Sequence, residues 1–235
     1  MNKLLILLMV VATSTVLIGN VHAHDIWLET KGDAFNVVYG HPDEMEDYSP
    51  SKVKVIRAYG TKGEEIAAKA TTDKDQMRVK PAADTSAITV EYDNGYWTKI
   101  GPTTWENRSK SEFDQHLESS HSLKYNKNLL GWNKRVAQPM GMKFEIVPLD
   151  NPLKKTPDGK INLQVLYKGK PLPNAGLEVH GVDETYKTDA NGNIKVALNS
   201  KQKFQYIAAY HRLPAPGNLH VDEISLTANL VFNAL

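Results

Sequence analysis

The sequence predicts an all-β protein made of two antiparallel β-sandwich domains. Short stretches rich in β-branched and aromatic residues recur along the chain, several alternate apolar with polar positions, and turn sequences such as Asp93-Asn94-Gly95 separate them. The sequence does not show the alternation of helices and strands that would predict a parallel sheet. The predicted strands of the first half are 26–28, 35–39, 53–56 and 87–92.

One segment of the first half departs from the strand pattern. Residues 109–131 are polar and do not alternate, but Phe113, Leu117, Leu123 and Leu129 form a weak apolar stripe. We predict a short helical insert here, of one or two helices crossing the first sandwich.

A polar, proline-containing connector at residues 150–159 predicts a domain boundary. It separates a first β domain, residues 24–150, from a second, residues 160–235. Short predicted strands joined by tight turns make the second domain similar to a small immunoglobulin-like or transthyretin-like sandwich. These strands are 161–167, 176–180, 185–188, 194–198, 204–210 and 223–232.

Composition limits the possible partners and ligands. The 235 residues include 28 Lys and Arg against 27 Asp and Glu, so the chain has no broad field that would hold nucleic acid or an anionic membrane. Cysteine is absent from the sequence, which excludes disulfides, thiolate nucleophiles and thiolate metal sites. A metal site would therefore use imidazole, carboxylate, thioether or terminal amine, donors that suit nickel, cobalt, copper or zinc.

The first 23 residues have the pattern of a secretory signal peptide. Lys3 precedes an apolar stretch at 4–18, and Val21-His22-Ala23 resembles a cleavage site. The alternative is an uncleaved anchor, but the apolar stretch is short for a bilayer span. We expect cleavage after Ala23 and a periplasmic protein.

Cleavage after Ala23 would create a metal chelate at His24. Its free α-amine and its imidazole Nδ1 could bind one ion together, and His41, held between Gly40 and Pro42 at a strand end, is the best companion ligand. The acidic run at 43–47 could add a carboxylate ligand, although a solvated loop is the commoner role of such a run.

The remaining histidines are weaker candidates. His211 follows a predicted strand and His220 begins the next, so the two could face each other across a hairpin and act as metal ligands. His116 and His121 are five residues apart, which places them on different faces of a helix. His180 lies within a predicted strand and is expected to be structural or solvent-facing.

Together these segments resemble one family. It is the bacterial periplasmic group called domain of unknown function 4198, related to nickel/cobalt-uptake accessory proteins of the NikM and NikK type. The resemblance implies a soluble periplasmic helper in nickel or cobalt uptake that hands the ion to a transporter, with His24, His41 and His211 as ligands. Its segments are His24-Asp25-Ile26-Trp27-Leu28-Glu29, Tyr39-Gly40-His41-Pro42, Asp93-Asn94-Gly95-Tyr96-Trp97, Leu123-Lys124-Tyr125-Asn126-Lys127 and Tyr210-His211-Arg212.

Two other classes of function remain open from the sequence. A terminal His with a second His on a β-sandwich is also the copper arrangement of polysaccharide monooxygenases, although the signatures of serine hydrolases, zinc proteases and nucleotide-binding enzymes are absent from the sequence. A structural or adhesive module with incidental histidines is the third possibility. Tyr96, Trp97, Trp105 and Trp132 could line a sugar groove, but core packing explains them more simply.

Overall fold

The computed structural model describes residues 24–154, 156 and 158–234, which form strands and two single-turn 3₁₀ helices, Pro50–Lys52 and Lys110–Glu112. The predicted signal peptide, residues 1–23, lies outside the described residues. The strands are β1 (Asp25–Lys31), β2 (Ala34–His41), β3 (Glu44–Glu46), β4 (Val53–Gly60), β5 (Glu65–Ile66), β6 (Lys69–Asp73), β7 (Gln76–Lys80), β8 (Thr85–Lys99), β9 (Trp105–Glu106), β10 (Glu118–Leu129), β11 (Phe144–Pro148), β12 (Lys160–Tyr167), β13 (Lys170–Pro171), β14 (Gly176–Val179), β15 (Thr185–Lys187), β16 (Asn193–Ala197), β17 (Phe204–Pro214) and β18 (Glu223–Asn233).

The strands form three sheets, which confirms the predicted all-β class. Sheet A has the order β1-β2-β7-β6, with β3 on β2; sheet B has the order β15-β14-β17-β18-β10-β8-β4-β5, with β9 on β8; sheet C has the order β11-β12-β13, with β16 on β12. Within the described part of the chain, no helix is long and apolar enough to cross a membrane.

Sheet B takes strands from both sides of the predicted boundary at 150–159. Strand β10 pairs with β8 antiparallel and with β18 parallel, so that Tyr125 lies beside both Glu91 and Ala228. The two predicted domains therefore share one continuous sheet.

The predicted helical insert at 109–131 is wrong. Apart from the 3₁₀ turn, the ordered element there is β10, a long central strand of sheet B. Its alternation is hidden in the sequence because both of its faces are covered and five of its polar residues are buried. These are Ser119, Lys124, Asn126, Lys127 and Asn128.

Sheets B and C enclose the largest core. Ile207 and Leu226 of sheet B pack in it with Phe144 and Leu163 of sheet C, all fully or almost fully buried. Burial of apolar surface at about 25 cal/mol per Å² is the main contribution to the stability of such a layer.

Sheet A lies on the other face of sheet B, and its strand β1 is covered on both faces. Ile26 packs in a cluster with Val90 of β8, whereas Trp27 packs with Tyr206 of β17, their rings 5.7 Å apart. The free edge of β1 is also covered, because Asn229 Nδ2 donates a hydrogen bond of 2.9 Å to the Ile26 carbonyl. The backbone just after His24 is thus held in place on three sides.

Candidate functional site

The register of the β1–β2 hairpin brings His24 and His41 together. Asp25 lies opposite Gly40, so the next pair along the hairpin is His24 and His41. Their ring centroids are 4.7 Å apart, with the ring planes at 57°. The structure thus brings the two predicted companions together, and their role as metal ligands stays a prediction.

A glycine lets the chain turn back toward His24. Gly40 has φ +128°, and a Cβ there would lie 2.4 Å from the Glu44 carbonyl oxygen, so a larger residue would clash with the returning strand. Strand β3 then pairs with β2 and places Glu46 opposite Tyr39. This turn is what delivers an acid to the histidine pair.

Glu46 orients the His24 ring. Its Oε1 lies 2.9 Å from His24 Nε2, and the His24 side chain is 40% exposed. Histidines that bind metals commonly donate their second ring nitrogen to a carboxylate, which fixes the ring and leaves the other nitrogen for the ion. Here the nitrogen engaged by the carboxylate is Nε2, and Nδ1 is the one that a terminal chelate would use.

A buried carboxylate lies beneath the pair. Asp25 is 1% exposed, and the Tyr206 hydroxyl donates a hydrogen bond of 2.5 Å to its Oδ2. Burial raises the pKa of Asp25 above its ordinary value, although interactions with Lys124, Tyr206, Thr227 and His41 oppose the shift. This carboxyl group would gain a favourable interaction from positive charge placed at the histidines.

His211 lies on the opposite face of sheet B from the His24–His41 pair. Along β17, Tyr206 and Ala208 pack with Trp27, whereas Ile207 and Ala209 pack in the core between sheets B and C. Strand alternation places His211 with the second set. The expected approach of His211 to His24 is therefore wrong, and burial lowers the pKa of the His211 imidazole.

The expected facing of His211 and His220 is also wrong. β18 begins only at Glu223, and the residue opposite His211 is Leu226. His220 lies in the preceding loop, where its Nδ1 is 3.0 Å from Ser109 Oγ and its ring stacks on Tyr96 at 5.3 Å.

The other three histidines each meet an aspartate. His116 Nε2 is 2.9 Å from Asp222, His121 Nε2 is 2.7 Å from Asp93, and His180 Nε2 is 3.5 Å from Asp43. Among the described residues, no group of three or more His, Asp or Glu side chains could hold a metal ion. A metal centre at His24 and His41 would therefore need a further donor.

A cleft of about 850 Å³ opens beside His24. β8 supplies Tyr92 and Trp97 to it, β10 supplies Lys124, and Tyr39 stands beside them on β2. Of its aromatic residues, only Trp97 and Trp105 were considered for a binding groove from the sequence. Its lysines were missed, because nothing local in the sequence shows that strands so far apart along the chain meet here.

Comparison with known proteins identifies the family. The family model described as domain of unknown function (DUF4198) matches residues 21–211. The chain belongs to this family. The DUF4198 match includes His24, His41 and His211, and it ends before His220.

Two individual proteins show similarity to this DUF4198 member. An uncharacterized protein of Haemophilus influenzae is 26% identical over 216 residues, which cover 91% of each chain. The D0-D1 domain of Intimin aligns over 91% of this chain and 98% of its own length, with 13% identity and a TM-score of 0.23, a value too low to support an argument about fold or function.

Proposed function

We propose that the protein binds a divalent transition metal ion at the His24–His41 pair and assists metal uptake in the periplasm. Nickel or cobalt is the expected cargo, and copper or zinc would fit the same donors. The donors would be the α-amine released by cleavage after Ala23, Nδ1 of His24 and the imidazole of His41. The observation that supports the proposal is the 4.7 Å separation of the two rings.

The terminal amine would supply the further donor that the two histidine side chains need. Amine and Nδ1 belong to the same residue, so binding of one brings the other to the ion at high effective concentration. Both nitrogens must be deprotonated, and ordinary pKa values of about 7.7–8.0 for the amine and about 6.5 for histidine make the affinity rise with pH. Glu46 and Asp25 place negative charge near the ion, one at the rim and one beneath.

The proposal is tested on natively exported and processed protein. Mass spectrometry first establishes whether His24 is residue one, and calorimetric titration then gives the affinity for Ni²⁺, Co²⁺, Cu²⁺ and Zn²⁺. An extra Met before His24 converts the amine into an amide, and His41→Ala removes one imidazole. Each change is expected to weaken binding at least about tenfold, which is about 1.4 kcal/mol.

His211→Ala is the matched control, because it removes an imidazole from the opposite face of sheet B. It should leave the affinity unchanged. An extra Met without effect would refute the terminal chelate, and binding weaker than about 1 mM for every ion would leave a structural module as the better account.

A copper-dependent oxidative enzyme is the second candidate. The amine and two imidazoles of the proposed metal site are also the donors of a copper enzyme with a terminal histidine. The observation that favours an enzyme is that His24 borders the aromatic cleft, where Trp105 is 41% exposed. The test is to incubate the copper-loaded protein with peroxide and oligosaccharides and to search for oxidised sugars by mass spectrometry. Their absence, with metal binding intact, would favour the uptake role.

A further inference from the structure

The cleft beside His24 has the size and lining of a small-molecule site. Its volume of about 850 Å³ lies within the range of about 300–1,000 Å³ that is usual for ligand pockets. Such pockets combine apolar and aromatic walls with a few polar groups that fix the orientation of the ligand. What this cleft selects therefore depends on its charged groups.

Lys124 is the most deeply placed of these groups. It is 2% exposed, and its Nζ lies 5.9 Å from the centre of the Tyr39 ring. Burial lowers the pKa of Lys124; the negative charge of Asp25 opposes this shift, and the positive charge of Lys52 adds to it. The ammonium group is thus separated from bulk water and shares the cleft with a second cation.

Lys52 is fixed in place by two amide oxygens. Its Nζ donates to Asn94 Oδ1 and to Asn107 Oδ1, each at 2.9 Å. Burial lowers its pKa as well, and the negative charge of Asp93 opposes this shift. Neither amide carries a charge, so an anion near Lys52 and Lys124 would offset the desolvation of both ammonium groups.

Planar side chains surround the two lysines. Lys52 Nζ lies 5.8 Å from the centre of the Trp97 ring, and Trp97 Nε1 donates to the Asn94 carbonyl at 3.2 Å, which fixes the indole. Tyr92 and Tyr39 are 5.5 Å apart, centre to centre, and largely buried. These rings offer apolar area at little entropic cost, since they are already held.

The cleft also has acidic residues, which are more exposed than its lysines. Glu46 is engaged by His24, while Asp47 and Asp75 are exposed. Exposed charges are screened by salt over about 8–10 Å, whereas the field of a buried charge such as Lys124 is screened much less. Asp25 and Asp93 also act on Lys124 and Lys52, but neither aspartate lines the cleft. Among the lysine and acidic side chains that do line it, the least exposed are therefore the two lysines.

We propose that this cleft binds a small organic anion that carries a carboxylate and a planar apolar ring. The carboxylate would lie at the ammonium groups of Lys52 and Lys124, and the ring would lie against Trp97. The site goes beyond the proposed metal centre, and it does not need a metal ion.

The test compares three probes of one shape on the processed, chelator-treated protein: 2-naphthoate, neutral 2-naphthamide and cationic 2-naphthylmethylamine. Quenching of tryptophan fluorescence and calorimetry give the affinities. Naphthoate is expected to bind at least about tenfold more tightly than the amide, with an affinity that falls as salt rises, and the amine is expected to bind least.

Lys124→Met and Lys52→Met should each weaken naphthoate binding about tenfold and leave naphthamide binding unchanged. Lys195→Met is the control. It removes a lysine of β16, in sheet C, that is paired with Asp158, and it should change the affinity for neither probe. The comparison of probes on the unmodified protein stands even where a variant fails to fold.

Equal affinities for naphthoate and naphthamide would overturn the proposal, as would tighter binding of the amine or no binding below about 10 mM. Because the protein is metal-free, this outcome is independent of the metal titrations. Loss of the metal site in the His41→Ala variant should leave naphthoate binding intact.

Discussion

The buried ion pair between sheets B and C offers a prediction whose size follows from the structure. Lys127 Nζ lies 2.5 Å from Glu145 Oε1, and the two side chains are 0% and 1% exposed. The Glu145 carboxylate also accepts backbone hydrogen bonds from Met140, Gly141 and Met142, at 2.7, 3.2 and 3.3 Å. Lys127→Met keeps an unbranched side chain of similar length and leaves the carboxylate without its cation.

Removal of one partner of a buried ion pair costs about 3–5 kcal/mol in free energy of unfolding. The three backbone N–H groups still stabilise Glu145, so we expect a loss near the lower end, about 3 kcal/mol. For a chain of this length, each kcal/mol lowers Tm by about 2–4 °C, which gives a fall of roughly 6–12 °C. Urea denaturation and calorimetry at pH 7 measure both quantities.

The double variant Lys127→Met with Glu145→Gln is the matched comparison. The amide oxygen of Gln can accept the backbone hydrogen bonds of one carboxylate oxygen, although its NH2 group cannot accept those of the other. Because the uncompensated buried charge is gone, the double variant should be more stable than Lys127→Met alone. A loss below about 1 kcal/mol in the single variant, or a less stable double variant, would show that the carboxylate does not depend on Lys127.

Three further predictions concern single acidic or histidine side chains. Glu46→Gln keeps a hydrogen-bond acceptor for His24 but removes the charge, and should weaken metal binding up to about tenfold by calorimetry; unchanged affinity would remove Glu46 from the site. Burial raises the pKa of Asp222, but hydrogen bonds from Lys110 and Ser119, among others, outweigh this effect and lower the pKa to about 2. The ionised carboxylate therefore stabilises the folded state above its ordinary pKa of 3.8, and this stabilisation is lost as pH falls toward 2. Asp222→Asn should therefore cost about 1 kcal/mol at pH 7, reduced by the exposure of this side chain, and match the unmodified protein near pH 2 in urea titrations. Since burial lowers the pKa of His211, the unfolded chain takes up a proton first as pH falls below 6.5, and stability decreases there. His211→Gln should reduce that loss between pH 7 and 5; equal slopes would contradict it.

Most strands could be predicted from the sequence because their patterns are local. The predicted strands 35–39 and 53–56 lie within β2 and β4, and 161–167 and 204–210 lie within β12 and β17. β10 was missed because a strand covered on both faces, with polar residues buried inside, loses the alternation by which strands are recognised.

In the candidate site, too, only the parts that depend on local sequence could be predicted. His24 and His41 meet through a hairpin, whose register follows from residues close along the chain. The position of His211 depends on which face of β17 meets which sheet, and a shift of one residue reverses that choice. Lys52 and Lys124 meet through pairing of β4, β8 and β10, which no local pattern encodes.

The place of β18 in sheet B has a consequence for how the chain acquires its structure. It is the last described strand along the chain, yet it lies between β17 and β10 and joins the two parts of the sheet. Its parallel partners in β10 are about a hundred residues away, as for Tyr125 and Ala228. Closure of so long a loop is entropically costly and slow, and the largest sheet can be completed only after β18 has been made. Until β18 is made, the edges of β17 and β10 that it joins have no partner strand.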